Sequence, residues 1–211
     1  MRKTFPLIYP ILDSSFLPKF GRSDFLHTLG LSLSDAGVTL LEYRNKGAAD
    51  DEILADAEAL RHAMPNATLI LDDRADLVVR ADFDGVHVDA GDVTPSEARR
   101  IVGPDHIVGT FGGSASLVPG VLSQPADYFS IGPVFATTTK QTDKLPIGLD
   151  GVRKLRAEAG PEPVLVAAAG ITLETAPAVI AAGASVVAVA AAIFNKPHPA
   201  AEFRKWVTAL R

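Results

Sequence analysis

Short apolar runs alternate with amphipathic stretches along the whole chain. The runs are rich in valine, isoleucine and leucine, which favours strands, whereas the stretches between them carry charged residues at helical spacing. The runs cover residues 7–12, 38–43, 68–71, 85–88, 106–110, 128–131, 164–168 and 185–193. The predicted helices that follow them cover residues 23–36, 50–64, 73–80, 95–102, 115–122, 150–159, 173–182 and 200–210.

This order of elements predicts an α/β fold. Continuous apolar runs are typical of parallel strands that are covered on both faces, and right-handed crossovers join such strands. Eight strand–helix units predict a single (β/α)₈ TIM barrel that occupies residues 1–211 as one domain. A doubly wound sheet is the alternative, although it usually needs only five or six units. No sequence repeat stands out beyond the unit period.

Composition narrows the class of protein. The net charge of −5 argues against nucleic acid as the main partner, and the absence of cysteine excludes disulfides, thiolate metal sites and cysteine nucleophiles. The longest apolar run, residues 184–194, is far shorter than the roughly 20 residues that span a bilayer. We therefore expect a cytoplasmic protein with no membrane partner. The sequence leaves the oligomeric state open and is compatible with a homo-oligomer.

Acidic residues follow two neighbouring predicted strands. Because strand C-termini build the active site of a barrel, we expect Asp73 and Asp92 to lie at the same mouth. Mg²⁺ typically takes one or two protein carboxylates together with water and substrate phosphates. The two carboxylates therefore predict a magnesium site. Alternatively, Asp72 and Asp73 are only the capping acids of the next helix.

Cations and hydroxyls at other strand ends predict a phosphorylated substrate. Arg44, Lys46 and Lys140 could neutralise a pyrophosphate, and Gly170 leads towards a helix N-terminus, where free N–H groups bind anions. The run from Tyr128 breaks at a Gly–Pro pair and then delivers three hydroxyls from Thr137, Thr138 and Thr139. Each feature also has an alternative interpretation that involves no function. These interpretations are a solvated edge for Arg44 and Lys46, a core position for His87, a plain surface loop for the threonines and close packing for Ala190 and Ala191.

These residues coincide with a known pattern, and the chain resembles thiamine-phosphate synthases over nearly its full length. The matching motifs are Asp127-Tyr128 through Gly132-Pro133 to Thr137, Thr139 and Lys140; Arg44-x-Lys46; Asp73-Arg74-x-Asp76-Leu77; Gly85-Val86-His87 with Asp92; and Gly170-Ile171-Thr172. The resemblance implies a transferase that joins hydroxymethylpyrimidine pyrophosphate to a thiazole phosphate and releases pyrophosphate. It also implies Mg²⁺ on Asp73 and Asp92, with Arg44, Lys46 and Lys140 as the catalytic cations.

The resemblance further implies a set of substrate contacts. The substrate-binding positions are Glu42, Asp72, Phe111, Thr137, Thr138, Thr139, Gly170, Ala190 and Ala191. Several positions depart from the usual family residues. The departures are Glu42 for glutamine, Asp72 for asparagine, Ala90 for glutamine, Phe111 for serine, Ala169 for glycine and Ala191 for serine.

Two other functions remain open at this point. A thiazole tautomerase shares the fold and much of the pattern, but it would need neither the metal acids nor the Thr-x-Thr-Lys run. A non-catalytic barrel that binds a phosphorylated ligand is the second alternative, against which the retained cations and metal acids argue. We also expect the polar segment 137–148 to close over the substrate.

Overall fold

The computed structural model describes residues 4–137 and 143–211 and is a closed barrel of eight parallel strands in sequence order. The last strand pairs with the first, which closes the barrel and confirms the predicted TIM-barrel fold. Each strand overlaps its predicted apolar run. The strands are β1 Ile8–Asp13, β2 Leu40–Arg44, β3 Thr68–Asp72, β4 Gly85–Val88, β5 Ile107–Gly113, β6 Tyr128–Ile131, β7 Leu165–Ala168 and β8 Val186–Val189.

Helices cover the outside of the barrel. They are α1 Arg22–Asp35, α2 Asp50–Ala63, α3 Pro95–Val102, α4 Gly148–Ala159, α5 Ala176–Ala181, α6 Ala191–Phe194 and α7 Pro199–Ala209. The start of α3 carries a capping box, in which Thr94 and Glu97 satisfy each other's backbone N–H groups. Within the described ranges, no helix has the length and apolar content that a membrane crossing requires.

Three predicted elements differ from the structure. The helix expected over residues 73–80 is only a 3₁₀ turn at Ala75–Leu77, because left-handed backbone at Asp73 and Asp82 brackets a short connection. The helix expected over residues 115–122 is a 3₁₀ turn at Val121–Ser123, because a Pro–Gly pair interrupts the helical pattern. The run 185–193 divides into β8 and the four-residue helix α6, two elements that an unbroken apolar run does not distinguish.

Side chains that point into the barrel form a core of their own. Tyr9, Ile70, Ile107, Tyr128 and Val166 belong to this inner cluster, and each is at least 92% buried. Gly109 makes room for the Tyr128 ring, because a Cβ atom at that position would overlap it. The interior of the barrel below the mouth is therefore filled with side chains.

Three strand pairs, β3 with β4, β5 with β6 and β7 with β8, are each anchored by one arginine at the bottom of the barrel. Each arginine lies near the C-terminus of a helix and donates to backbone carbonyls and to a side-chain oxygen that precedes the second strand of the pair. That oxygen also accepts a backbone N–H of the first strand. The three arginine clamps are Arg61 with Asp84 at 2.7 Å, Arg99 with Asp127 at 2.7 Å and Arg156 with Ser185 at 2.8 Å. This two-strand repeat of contacts has no counterpart in the sequence analysis.

Candidate active site

Three neighbouring strands carry charged side chains to the mouth of the barrel. Glu42 and Arg44 lie on β2, Asp72 on β3 and His87 on β4, and the paired strands place Asp72 beside His87. Glu42, Asp72 and His87 are at least 93% buried. Arg44 and Asp72 follow the predicted runs 38–43 and 68–71, whereas the structure has them as the last residues of β2 and β3.

Arg44 joins two carboxylates at the mouth. Its Nη1 lies 2.5 Å from Asp13 Oδ2, and its Nε lies 3.1 Å from Asp72 Oδ2. Burial alone would raise the pKa of Asp13, but hydrogen bonds from Ser15 and the Arg44 guanidinium lower it. Arg44 is therefore held in place before any substrate binds.

Lys46, Asp73 and Asp92 form a second charged cluster, in the loops after β2, β3 and β4. Lys46 Nζ lies 2.6 Å from Asp73 Oδ2, and Asp92 accepts the Asp89 N–H at 2.8 Å. Burial raises the pKa of Asp92, and the adjoining Asp73 carboxylate raises it further. The structure thus brings together the two acids that were predicted to share a metal ion.

The backbone of Asp73 is held in an uncommon conformation. Its φ of 69° lies in the left-handed region, and its N–H donates to the His87 carbonyl at 2.8 Å. Asp73 Oδ1 is buried and has no hydrogen-bond partner. A strained backbone and an unsatisfied carboxylate oxygen are typical of a binding site, where the missing partner is a ligand.

A chain of hydrogen bonds lies directly beneath these clusters. The Tyr9 and Tyr128 hydroxyls lie 2.9 Å apart, and the Tyr128 hydroxyl lies 3.0 Å from His87 Nδ1. Burial alone would lower the pKa of His87, but the hydrogen bond with Asp89 and the charge of Glu42 raise it to about 9. The raised pKa favours the imidazolium form of His87, which the hydrogen bond with Asp89 stabilises.

Burial raises the pKa of two carboxyl groups at the mouth. Burial raises the pKa of Asp72 to about 8, and the nearby charge of Glu42 contributes to that rise. Burial also raises the pKa of Glu42, although His87 and Tyr9 act against the rise. A protonated carboxyl has one donor and one acceptor, as an amide has. In its protonated form, Asp72 can therefore present the same hydrogen-bonding groups as the amide that is usual at this position.

The loops after β6 and β7 meet on the other side of the mouth. Val134 and Phe135 donate their N–H groups to the carbonyls of Ala168 and Ala169 at 2.9 and 3.1 Å. Gly170 has a φ of 68°, and a Cβ atom at that position would overlap the backbone of residues 135–136. This close approach places Thr137, which is half-buried, in the loop beside the Gly170 turn. Thr138, Thr139 and Lys140 lie outside the described residues, as do residues 141–142 of the predicted closing segment 137–148.

Two expectations about this side of the mouth need correction. Gly170 does not lead directly into a helix, because a hydrogen-bonded turn from Thr172 to Thr175 separates it from α5. Ala190 and Ala191 do not end a strand, since β8 ends at Val189 and Ala191 is the first residue of α6. Both alanines are half-buried.

Comparisons with known proteins agree with this geometry. Residues 8–193 match the family described as thiamine monophosphate synthase. The chain belongs to this family. It is 42% identical to the thiamine-phosphate synthase of Koribacter versatilis over 94% of both chains, and 38% identical to that of Agrobacterium fabrum over 87% of both. The fold is similar to that of thiamine phosphate pyrophosphorylase from Pyrococcus furiosus, with a TM-score of 0.76, 25% identity and coverage of 97% and 95% of the two chains.

Membership in this family makes the chain a transferase of the thiamine-phosphate synthase type and gives it small phosphorylated substrates. The structure also shows where two of the departures from the usual family residues lie. Ala169, where the family usually has glycine, adopts a left-handed φ of 74°, which costs alanine more than glycine. Phe111, where the family usually has serine, stands at the end of β5 with Lys144 Nζ 3.4 Å from the centroid of its ring.

Several residues of the candidate site were not predicted from the sequence. Asp13, Tyr9 and Asp89 are among them, because no local motif marks them. Asp13 is nevertheless recognisable by position, since it ends the first strand as Arg44 ends the second, and the two residues pair in register. Arg74, which belongs to a matching motif, pairs instead with Asp50 and Asp76 and anchors the start of α2.

Proposed function

We propose that this protein joins hydroxymethylpyrimidine pyrophosphate to a thiazole phosphate and releases pyrophosphate, in a magnesium-dependent reaction of thiamine biosynthesis. The observation that carries the proposal is the cluster of Lys46, Asp73 and Asp92 at the barrel mouth, beside Arg44. This cluster offers both a hard-cation site and positive charge for a pyrophosphate. A thiazole tautomerase, which transfers no group, has no use for that combination.

The donor set at the mouth fits Mg²⁺. Asp73 and Asp92 adjoin each other, and Asp73 Oδ1 is a buried oxygen without a hydrogen-bond partner. Within residues 4–137 and 143–211, no group of three or more acidic or histidine side chains could form a closed metal cage. Two carboxylates that leave positions for water and phosphate oxygens suit magnesium better than zinc.

The chemistry asks for charge neutralisation and orientation. The C–O bond to pyrophosphate breaks with its electron pair on the leaving oxygen, and the ring-nitrogen lone pair of the thiazole forms the new C–N bond. No proton is removed, so no general base is needed. Mg²⁺ on Asp73 and Asp92 would supply charge neutralisation for the leaving pyrophosphate. Arg44, fixed by Asp13, and Lys46 bind the same group, and positioning contributes the rest of the rate.

The remaining substrate contacts come from the two sides of the mouth, one side for each substrate. Glu42 and Asp72 face the pyrimidine, and Thr137 and the Gly170 turn hold the phosphate of the thiazole. All of these residues come from one chain, so the proposal requires no second copy, although a homo-oligomer is compatible with it. We place the reaction in the cytoplasm, where charged phosphorylated substrates remain available.

An assay with both substrates tests the proposal. The purified protein is incubated with the two phosphorylated substrates and Mg²⁺, and thiamine phosphate and pyrophosphate are measured. We expect turnover that chelation of the metal abolishes and that Asp92→Asn lowers by about 100-fold or more. Asp35→Asn, a change at an exposed residue of α1, should leave turnover unaltered. Absence of both products from a folded protein would overturn the proposed function.

A further inference from the structure

The aromatic face of Phe111 already holds a positive charge in the structure. Lys144, in the loop before α4, places its Nζ atom 3.4 Å from the ring centroid, well within the range of a cation–π interaction. The contact joins the end of β5 to the loop that follows β6. A phenylalanine whose ring face can hold an ammonium group can also hold another organic cation there.

The local backbone places this ring at the mouth of the barrel. Phe111 pairs with Ser130, two residues beyond the pair of Gly109 with Tyr128, and side chains two residues apart on a strand point the same way. Gly109 faces the Tyr128 ring inside the barrel, so Phe111 faces the barrel axis one layer nearer the mouth. The register shifts between Phe111 and Gly113, and bulges of this kind re-aim side chains near active sites.

The proposed reaction creates a cation where none existed in the nucleophile. The thiazole ring is neutral before the transfer, and its nitrogen carries a positive charge once the C–N bond has formed. The leaving pyrophosphate takes the electron pair of the broken C–O bond, so the positive charge stays on the organic product. A ring that binds cations through its face therefore distinguishes product from neutral thiazole, which a serine hydroxyl does not.

We infer that Phe111 is a cation-binding residue for the thiazolium ring of the product, and that Lys144 occupies the same ring face until the product forms. The inference rests on the proposed function, because it takes the product to be thiamine phosphate. It makes Phe111 a specificity-determining residue of this chain and makes Lys144 an internal competitor for its face.

Two ligands that differ only in charge test this inference. Thiamine phosphate carries the cationic ring, and its isostere with carbon in place of the ring nitrogen is neutral. Dissociation constants for both are measured by calorimetry, and the ratio of neutral to cationic values is the readout, so that effects on phosphate binding cancel. Phe111→Leu and Phe111→Ser should lower this ratio by about 2- to 30-fold, and Phe111→Trp should keep or raise it. Lys144→Met should raise the ratio, because it removes the competing charge.

The possible outcomes separate the inference from the proposed function. If the unaltered protein binds both ligands and the ratio stays the same in Phe111→Leu and Phe111→Ser, the inference is wrong and the proposed function stands. A ratio that falls in Lys144→Met overturns the competition between Lys144 and the product. Failure of the unaltered protein to bind either ligand counts against the proposed function and removes the inference with it. Unfolding curves confirm that each variant is folded.

Discussion

The bottom and the mouth of this barrel carry the same kinds of charged residue, but the two ends differ in how far the hydrogen-bonding groups of these residues are satisfied. At the bottom, Arg99 donates to the carbonyls of Gly103 and His106 and to the Asp127 carboxylate, which in turn accepts a strand N–H. At the mouth, Asp73 Oδ1 is buried without a hydrogen-bond partner. Among the described residues, the arginine clamps at the bottom hydrogen-bond to backbone groups, whereas the Asp73 carboxylate at the mouth keeps an oxygen that a ligand can bind.

Backbone conformation follows the same division. Two of the three non-glycine residues with positive φ in the described ranges, Asp73 and Ala169, lie at the mouth, after β3 and β7. Left-handed backbone costs an L-amino acid about 1–2 kcal/mol per residue, so it persists only where the surroundings hold it. The comparison teaches that unsatisfied oxygens and strained backbone mark the functional end of a barrel better than the number of charged residues does.

The largest expected effect comes from removing one carboxylate charge at each end. Asp73→Asn should lower turnover by about 100-fold or more, because it removes a proposed metal ligand. Its free energy of unfolding should change by about 1 kcal/mol or less, since the lost ion pair with the half-exposed Lys46 is offset by relief of repulsion from Asp92. Steady-state assays and urea unfolding measure the two quantities.

Asp127→Asn is the matched change at the bottom. It weakens the bond to Arg99, which lies 2.7 Å away, and the bond to the Val108 N–H, so we expect a loss of about 1–3 kcal/mol in the free energy of unfolding. Turnover of the folded fraction should stay unaltered. The comparison between the ends breaks down if the Asp73 variant loses stability rather than activity, or if the Asp127 variant loses activity without loss of stability.

The strands were predictable because few other elements accommodate a short, continuous apolar run. The limits of that signal show at residues 185–193, where apolarity continues past Val189 although the chain leaves the barrel and begins α6. The missing third and fifth helices depend on backbone conformation, such as the left-handed Asp73, which the apolar pattern does not report. The fold was therefore predictable from pattern, and the exceptions depend on local geometry.

The candidate site was predictable only where a motif exists. Arg44, Lys46, Asp73 and Asp92 stand in such motifs, and the structure brings them together. The partners that hold them were not predictable in the same way. Asp13 is an ordinary strand end until its pairing with β2 is known, because the contact joins residues 31 positions apart.

The buried acidic groups at the mouth should also make the stability of the protein depend on pH. Burial raises the pKa of Asp72 to about 8 from its ordinary value of 3.8, so the folded state keeps a proton that the unfolded chain loses. The stability from this group is fully present below pH 3.8 and is lost as the pH rises to about 8. His87, with a pKa of about 9 against 6.5, acts in the same direction from pH 6.5 upwards.

Asp72→Asn has no proton to lose at this position. Between pH 5 and pH 8, its free energy of unfolding should therefore fall by about 1–2 kcal/mol less than that of the unaltered protein. The difference stays this small because Glu42, Asp72 and His87 titrate as a coupled group. Urea unfolding at several pH values measures the difference. Asp13→Asn is the control within the mouth, because the lowered pKa of Asp13 confines its effect on the slope to pH values below about 4. Parallel pH profiles for Asp72→Asn and the unaltered protein would contradict the assignment of a protonated Asp72.

The smallest expected effect tests the strained backbone at the mouth. Ala169 has a φ of 74°, which glycine adopts without the steric cost that alanine pays. Glycine also gives the unfolded chain more freedom, so Ala169→Gly should stabilise the protein by only about 0.5 kcal/mol. Ala182→Gly is the matched control, because its φ of −74° suits alanine, and it should destabilise by about 0.5–1 kcal/mol. Thermal unfolding gives both signs, and a loss of stability in Ala169→Gly as large as that in Ala182→Gly would show that the backbone at residue 169 is not strained.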